Sequence, residues 1–171
     1  MSGTKKIIII DDDDLLRDAL KEQFSLHDEF HVAEAATASA GIKLVKAEHA
    51  DLVILDVNLP DMDGREACKV MRRGGYKGPV IMLTGQSSES DTILGLDSGA
   101  NDYVTKPFRF AVLLARIRAH LRQHEHSEDA VFKVGPYTFK PSAKMLVRED
   151  NRKVRLLSLI HISEPTRPRL I

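Results

Sequence analysis

Short apolar runs alternate with longer segments of helical periodicity along the first 121 residues or so. Five of the runs have the length and composition of buried strands: Lys6–Ile10, His31–Ala35, Leu52–Asp56, Val80–Thr84 and Asp102–Thr105. Each is followed by a segment whose apolar residues recur at helical spacing: Leu15–Leu26, Ser39–Glu48, Arg65–Arg73, Ser88–Ser98 and Phe110 to about Leu121. The repetition predicts an α/β domain with one parallel sheet.

The connections restrict the order of the five predicted strands. Right-handed crossovers between parallel strands place helices on both faces of the sheet. The turn after the first strand is the acidic run Asp11–Asp14 and is not rich in glycine. Five units of this kind predict a five-stranded parallel sheet with the flavodoxin-like order 2-1-3-4-5.

The pattern changes after the fifth predicted helix. Residues 122–129 are polar and follow no period, which predicts a first domain at 1–124 and a linker at 125–131. Residues 132–156 alternate apolar and polar positions between turn signals, which predicts a short antiparallel β fragment. Residues 157–171 contain two prolines and no periodicity, so we expect them to be disordered.

Composition narrows the class of protein only slightly. Hydrophobic residues make up 43% of the chain and charged residues 29%, and the Lys+Arg and Asp+Glu counts are both 25, so net charge indicates no class of partner. Aliphatic runs such as Ile7–Ile10 are far shorter than the roughly 20 residues of a membrane helix. The single cysteine, Cys68, allows no intramolecular disulfide. We expect a cytoplasmic protein that does not bind membranes.

Charged and polar residues collect where the predicted strands end. Asp11 and Asp12 follow the first strand, Asp56 ends the third, Thr84 ends the fourth and Lys106 follows the fifth. The carboxyl ends of parallel strands form the edge at which ligands bind. Two carboxylates about 4 Å apart repel each other by about 4 kcal/mol at an effective dielectric constant of about 20. Positive charge must therefore join them, and a hard divalent cation such as Mg²⁺ and the lysine ammonium can supply it.

Each of these residues also has a purely structural interpretation. An acidic run such as Asp11–Asp14 is commonly a solvated turn or a helix N-terminus, where negative charge is favourable. Asp56 can cap a helix or a loop, and Thr84 or Lys106 alone indicates no function. Capping and solvation do not require these residues to lie at the same end of successive strands, so their shared position favours a functional site.

Four stretches resemble the signatures of receiver domains in bacterial two-component response regulators: Ile8–Asp13, Asp51–Gly64, Met82–Thr84 and Gly99–Phe108. The resemblance spans residues 5–122. It implies that Asp56 accepts a phosphoryl group from a phosphohistidine of a sensor histidine kinase. The chain would then be a phosphoacceptor with Mg²⁺-dependent self-phosphorylation and self-dephosphorylation, and not an enzyme with turnover.

The same resemblance assigns the metal ligands. Asp11 and Asp12 would hold Mg²⁺ directly or through water, together with Asp56 and the backbone carbonyl of Asn58. A phosphatase of the haloacid dehalogenase type also uses a strand-end aspartate with Mg²⁺, but needs a second aspartate two residues later, where this chain has Asn58. A flavin-binding or nucleotide-binding module would need a first loop rich in glycine or hydroxyl groups, and Asp11–Asp14 would repel phosphates.

Three further residues receive roles from the resemblance. Thr84 and Lys106 would contact the phosphoryl oxygens, and the Lys106–Pro107 peptide bond would be cis. Tyr103 would rotate into the space that the threonine hydroxyl vacates, so that Thr84 and Tyr103 form a switch. Tyr103 also fits a partly buried residue of the sheet without any switching role.

The segments 131–139 and 144–156 resemble the small sheet that opens the winged-helix effector domain of the OmpR/PhoB-like subfamily. In that subfamily a helical core and a recognition helix for the major groove follow. Here residues 157–171 follow instead, and they resemble read-through of a cloning or sequencing adaptor, so we expect a non-native tail and a truncated DNA-binding domain. DNA binding and transcription regulation are expected of the intact parent only.

The subfamily resemblance also implies a homodimer on phosphorylation, formed by the fourth predicted helix, the fifth strand and the fifth helix. The candidate apolar contacts are Ile93, Leu94, Leu96, Leu113 and Leu114, although these positions also fit a partly buried core. The candidate charged contacts are two pairs, Asp102 with Arg116 and Asp97 with Arg118. The subfamily often has a basic residue at Thr92 and glutamate at Val112, so one usual ion pair is missing.

Overall fold

A computed structural model describes residues 3–85 and 98–129, and beyond them only short strand segments at 132–134, 137–140, 145–148 and 153–155. Side chains are described as far as residue 125. The chain divides into two compact units, Met1–Leu121 and Arg122–Ile171. Among the helices of the described residues, none has both the length and the apolar character that crossing a membrane requires.

The first unit is built on a five-stranded parallel sheet. Its strands are β1 (Lys5–Ile10), β2 (Phe30–Ala35), β3 (Leu52–Asp56), β4 (Val80–Thr84) and β5 (Asp102–Thr105). They lie in the order β2-β1-β3-β4-β5, with every neighbouring pair parallel. The predicted fold class and strand order are confirmed, and only the starts of β1 and β2 differ, each by one residue.

Three helices of the first unit are each capped by the side chain of the residue that directly precedes the helix. These helices are α1 (Asp14–Phe24), α2 (Ala38–Glu48) and α3 (Gly64–Arg73). The side chains of Asp13, Thr37 and Asp63 accept hydrogen bonds from the first free backbone N–H groups of the helices. The helix predicted at Ser88–Ser98 lies almost entirely in residues 86–97, outside the described residues.

The last helix is longer than predicted. Helix α4 (Phe110–Asp129) continues past Leu121 through residues 122–129, so the predicted end of this helix at about Leu121 is wrong. This segment consists of polar residues without glycine or proline, and arginine, glutamine and glutamate are good helix formers. A helix that is polar on all sides leaves no hydrophobic period for sequence analysis to detect.

The core consists of two apolar clusters, one on each face of the sheet. Ile7 and Ile9 of β1 point to one face, and Ile8 and Ile10 point to the other. The first face is covered by α1 and α4, through Leu20, Phe24, Leu113, Leu114, Ile117 and Leu121. The second is covered by α2 and α3, through Ala38, Val45, Ala67, Cys68 and Met71. Burial on both faces explains why the strands are continuous apolar runs.

The second unit contains a four-stranded antiparallel sheet. Its strands are β6 (Phe132–Val134), β7 (Tyr137–Lys140), β8 (Met145–Arg148) and β9 (Lys153–Arg155), in that order. The alternating pattern of this segment had predicted short antiparallel strands. The turns between these strands lie outside the described residues. Residues 156–171 also lie outside them, and with them the tail for which disorder was predicted.

Gly64 is the first residue of α3. Because it has no side chain, its backbone can pack directly against the backbone at the end of β3. Its N–H donates a hydrogen bond of 2.7 Å to the carbonyl of Val57. A Cβ at this position would lie 2.1 Å from the backbone oxygen of Asp56 and 2.9 Å from the Cα of Val57. Because both neighbours are backbone atoms, a side chain fits only if the main chain moves.

We predict that Gly64→Ala lowers the free energy of unfolding by about 2 kcal/mol, because backbone must shift to admit the methyl group. Urea denaturation measures the effect. Gly74→Ala is the matched control, because a Cβ there would lie 3.4 Å from the nearest atom, at ordinary contact distance. The packing argument is wrong if the two variants unfold at the same urea concentration.

Candidate functional site

Three aspartates meet at the carboxyl edge of the parallel sheet. Asp11 directly follows β1 and is fully buried, Asp56 ends β3 and is 5% exposed, and Asp12 is exposed. Strands β1 and β3 are neighbours, with Ile10 opposite Leu55, so the pairing brings the three residues together. One carboxylate oxygen of each lies within 4.8 Å of the others.

Lys106 reaches the same cluster from β5. Its Nζ lies 2.9 Å from Oδ2 of Asp11 and 3.4 Å from Oδ1 of Asp56. The backbone N–H of Lys106 donates a hydrogen bond of 2.5 Å to the carbonyl of Thr84, which fixes the start of this segment on β4. The Lys106–Pro107 peptide bond is cis, as predicted. The ammonium group therefore bridges the two buried carboxylates.

The charges of the cluster are not balanced by Lys106 alone. Burial, and next the neighbouring Asp11 carboxylate, raise the pKa of Asp56, against the lowering influence of Lys106 and of the backbone N–H of Asn58. Burial lowers the pKa of Lys106, but its contacts with Asp11 and Asp56 raise that pKa by more, so it stands above its usual value. Lys106 offsets the rise in the pKa of Asp56 only in part, because the shorter contact of its ammonium group is with Asp11.

The cluster fits a hard divalent cation. Its ligands are carboxylate oxygens, which such cations prefer, and they already lie close enough to share one ion. A single ammonium group faces three carboxylates, so a bound cation would relieve repulsion that the described side chains leave in place. Asp11, Asp12 and Asp56 are therefore the residues that can hold a metal.

The acidic run after β1 combines a structural and a functional part. Asp13 is the N-cap of α1, and its carboxylate accepts hydrogen bonds from the N–H groups of Leu15 and Leu16 at 3.1 and 3.2 Å. Asp14 pairs with Arg17. The capping interpretation of the run is thus correct for Asp13, whereas Asp11 and Asp12 belong to the cluster.

Arg17 supports the cluster from α1, and sequence reasoning missed it. Its Nη1 donates a hydrogen bond of 2.6 Å to the backbone carbonyl of Asp11. Its Nε lies 3.2 Å from Oε2 of Glu34 on β2, so the guanidinium joins the loop to the neighbouring strand. The sequence signal that could have indicated this contact is the position of Arg17, a basic residue one helical turn after the acidic run Asp11–Asp14.

Three other predicted site residues lie on the strand ends or in the loop after β3. Thr84, the last residue of β4, is buried and is paired in register with Thr105. Tyr103 on β5 is half-buried and packs against the core cluster on the α2 and α3 side. Asn58 is exposed, two residues after Asp56, and forms a β-bridge with Asp63.

The structure corrects part of the predicted dimer face. Leu113 is fully buried and Leu114 is 8% exposed, and both belong to the core beneath the sheet, so their prediction as contact residues is wrong. The helical pattern marked them as apolar but did not show which side faces the sheet. Val112, which is 45% exposed, is instead a large apolar residue at the surface of this part of α4. The other predicted apolar contacts and Asp97 lie in residues 86–97, outside the described residues.

The predicted partners Asp102 and Arg116 form an ion pair within one chain. Arg116 Nη1 lies 2.8 and 3.0 Å from the two carboxylate oxygens of Asp102. His120, one turn further along α4, places Nε2 2.9 Å from Oδ2 of Asp102 and was missed as a partner. Burial alone would raise the pKa of Asp102, but hydrogen bonds from His120, the Tyr103 N–H and Arg116 lower it further than burial raises it. Arg118 pairs with Glu29.

Comparison with known proteins agrees with this geometry. The family described as response regulator receiver domain matches residues 7–118. The chain is 40% identical over 151 residues to the transcriptional regulatory protein AfsQ1 of Streptomyces coelicolor, a match that covers 88% of this chain and 65% of that protein. The chain thus spans less than two thirds of the length of this relative.

Two solved structures are similar to the first unit. A response regulator receiver domain protein (CheY-like) from Methanospirillum hungatei is 32% identical, with a TM-score of 0.68, covering 72% of this chain and 98% of that one. The BeF3-activated N-terminal receiver domain of Klebsiella pneumoniae RstA is 37% identical, with a TM-score of 0.65, covering 70% of this chain and all of that one. The parallel sheet, the aspartate cluster at its edge and these matches together show that the chain belongs to the response regulator receiver domain family.

Proposed function

We propose that this chain is the phosphoacceptor of a two-component phosphorelay, in which Asp56 accepts a phosphoryl group from a phosphohistidine of a sensor histidine kinase in the presence of Mg²⁺. The observation that carries the proposal is the contact of Lys106 with both Asp11 and Asp56, at 2.9 and 3.4 Å, in a cluster that a further cation fits. Membership of the receiver family supports the kinase as donor.

The proposed ligands of Mg²⁺ are the carboxylates of Asp11, Asp12 and Asp56 and the backbone carbonyl of Asn58. When bound, Mg²⁺ supplies positive charge opposite the phosphoryl oxygens and offsets the charge that develops there. The aspartate cluster thus has two functions, because it binds the cation and also contains the nucleophile.

Asp56 acts as the nucleophile. One of its carboxylate oxygens forms a bond to phosphorus while the phosphorus–nitrogen bond of the donor breaks, and the electron pair of that bond stays on the imidazole nitrogen. Lys106 Nζ faces the oxygens that gain charge. Because Asp56 is only 5% exposed, little water competes with this interaction.

The new phosphoryl group would be held by Lys106 and Thr84. A charge-assisted hydrogen bond from the ammonium and a neutral one from the hydroxyl together contribute roughly 2 to 4 kcal/mol, which shifts a two-state equilibrium by about 30-fold to 1,000-fold. Movement of Thr84 would vacate space beside Tyr103, whose ring then changes the surface of β5. Thr84 and Tyr103 are the proposed switch.

The proposed output is transcription regulation by the intact parent. AfsQ1, whose similarity extends over 151 residues, is named a transcriptional regulatory protein. The short antiparallel strands β6–β9 fit the proposed winged-helix fragment at 132–156, after a receiver domain at 1–124 and a linker at 125–131. The linker would then begin inside α4, which ends at Asp129.

We also propose that phosphorylation promotes a homodimer through β5 and α4. Arg116 is about half exposed on α4 and pairs with Asp102 of its own chain, so its guanidinium lies at the surface where a second copy would meet it. Each exposed ion pair contributes only about 0 to 1 kcal/mol, so the loss of one usual pair at Thr92 and Val112 weakens the dimer modestly.

We predict that incubation with Mg²⁺ and acetyl phosphate adds one phosphoryl group per chain, detected as a mass increase of the intact protein and removed by hydroxylamine. Asp56→Asn takes up none, because the nucleophilic carboxylate is gone. Asp28→Asn, an exposed carboxylate before β2, is the matched control and behaves as the wild type. Equal phosphorylation of the Asp56→Asn chain would refute the assignment.

The cluster also predicts that Mg²⁺ stabilises the fold. At a concentration ten times its dissociation constant, a ligand of the native state adds about 1.4 kcal/mol to the free energy of unfolding, measured as a rise in melting temperature. Asp11→Asn abolishes most of this gain, whereas Asp28→Asn keeps it. If both variants respond to Mg²⁺ alike, the cation does not bind at the cluster.

For the dimer, we predict that beryllofluoride with Mg²⁺ doubles the mass seen by light scattering at tens of micromolar protein. Val112→Asp prevents the change without touching the Asp102–Arg116 pair, and Arg116→Glu prevents it by reversing a charge. Arg73→Glu, an exposed residue of α3, serves as the control and still dimerises. Dimerisation that survives both α4 substitutions would show that another face is used.

A further inference from the structure

Asp61 links the loop after β3 to helix α2. This loop, residues 57–63, is called the acceptor loop below, because it directly follows Asp56. Oδ1 of Asp61 accepts a hydrogen bond of 2.8 Å from the N–H of Ala38, and Oδ2 accepts one of 2.9 Å from the N–H of Ser39. These two N–H groups belong to the first two residues of α2, so the side chain of a distant loop caps this helix.

Helix α2 also has a cap of the ordinary kind. The Oγ1 of Thr37, the residue before the helix, accepts a hydrogen bond of 3.2 Å from the N–H of Ala40. The bonds to Ser39 and Ala38 lower the pKa of Asp61, so its carboxylate faces the positive end of the helix dipole in its charged form. Thr37 and Asp61 thus cap the same helix end, but only Asp61 joins it to the acceptor loop.

The two ends of the acceptor loop are fixed by backbone contacts. The N–H of Val57 donates to the carbonyl of Leu83 at 3.0 Å, and the N–H of Gly64 donates back to Val57 at 2.7 Å. Asn58 and Asp63 form a bridge across the loop. Asp61 lies in the outer part between these contacts, where it connects the loop to a separate element.

The position of the acceptor loop affects the site because the loop contains Asn58. Asn58 stands two residues after Asp56 and is bridged to Asp63, two residues beyond Asp61, so it lies between the nucleophile and the part of the loop that Asp61 fastens. Its backbone carbonyl is the proposed fourth ligand of Mg²⁺. A shift of the outer loop therefore changes the surroundings of the nucleophile and of the cation together.

We propose that Asp61 is a positioning residue for phosphoryl acceptance: by fastening the acceptor loop to α2, it holds the Asn58 backbone at Asp56 and at the cation. The inference rests on the proposed function. It assigns to Asp61 an effect on Mg²⁺ affinity that loss of a helix cap alone does not produce.

The test measures Mg²⁺ affinity by titration calorimetry on the full chain, and phosphorylation by acetyl phosphate as a function of Mg²⁺ concentration. Asp61→Ala raises the Mg²⁺ dissociation constant about tenfold, as loss of an outer-shell partner typically does. The phosphorylation rate falls at low Mg²⁺ and returns towards the wild-type rate at saturating Mg²⁺. Asp61→Asn, which keeps one carbonyl acceptor, gives an intermediate constant and covers the case in which the alanine variant does not fold.

Thr37→Ala is the matched control, because it removes a cap from the same helix end and leaves the loop attached. It lowers the melting temperature but leaves the Mg²⁺ dissociation constant within twofold of the wild-type value. Amide hydrogen exchange gives a second readout, in which Asp61→Ala speeds exchange in residues 58–63 and Thr37→Ala does not.

Two results separate the possible failures. If the wild type is phosphorylated but Asp61→Ala and Thr37→Ala have the same Mg²⁺ dissociation constant, the inference about Asp61 is wrong and the proposed function stands. If the wild type itself takes up no phosphoryl group and Mg²⁺ does not bind, the proposed function is wrong and the inference falls with it.

Discussion

The repulsion among Asp11, Asp12 and Asp56 is the constraint on which the rest of the site depends. Two of these carboxylates are buried at a sheet edge, where charge is poorly screened, and Lys106 supplies one positive charge against three negative ones. In the proposed function, a bound cation joins the cluster and offsets this repulsion. In this account, the fold tolerates an unfavourable cluster because that cluster performs the function.

Several distant segments cooperate to maintain this arrangement. The pairing of β1 with β3 brings the aspartates together, and the contact of the Lys106 N–H with Thr84 directs the lysine towards them. Arg17 fixes the backbone of Asp11 from α1. Gly64 allows α3 to begin against the end of β3, so the loop that follows Asp56 stays short. Each contact joins a residue of the site to an element that the apolar core already holds in place.

Two kinds of feature were predictable from the sequence: the elements that repeat along the chain, and the polar residues at the ends of the strands. Strands β3, β4 and β5 were predicted with their observed bounds, and their predicted order already placed the cluster at one edge of the sheet. The end of α4 was not predictable from hydrophobic periodicity, because a polar helix has none. Leu113 and Leu114 were assigned to the surface because the pattern does not give the orientation of a helix. The contacts of Asp61 with Ala38 and of His120 with Asp102 join residues 23 and 18 positions apart in the sequence, and only the tertiary structure pairs them.

The proposed function requires that Asp56, and no other carboxylate of the cluster, receives the phosphoryl group. Borohydride reduction tests it most directly, because it converts an aspartyl phosphate into homoserine at the modified residue and leaves free aspartate unchanged. After treatment with Mg²⁺ and acetyl phosphate, peptide mapping by mass spectrometry should find homoserine at position 56 and aspartate at positions 11 and 12. Homoserine at either of those two positions, with Asp56 intact, would contradict the account.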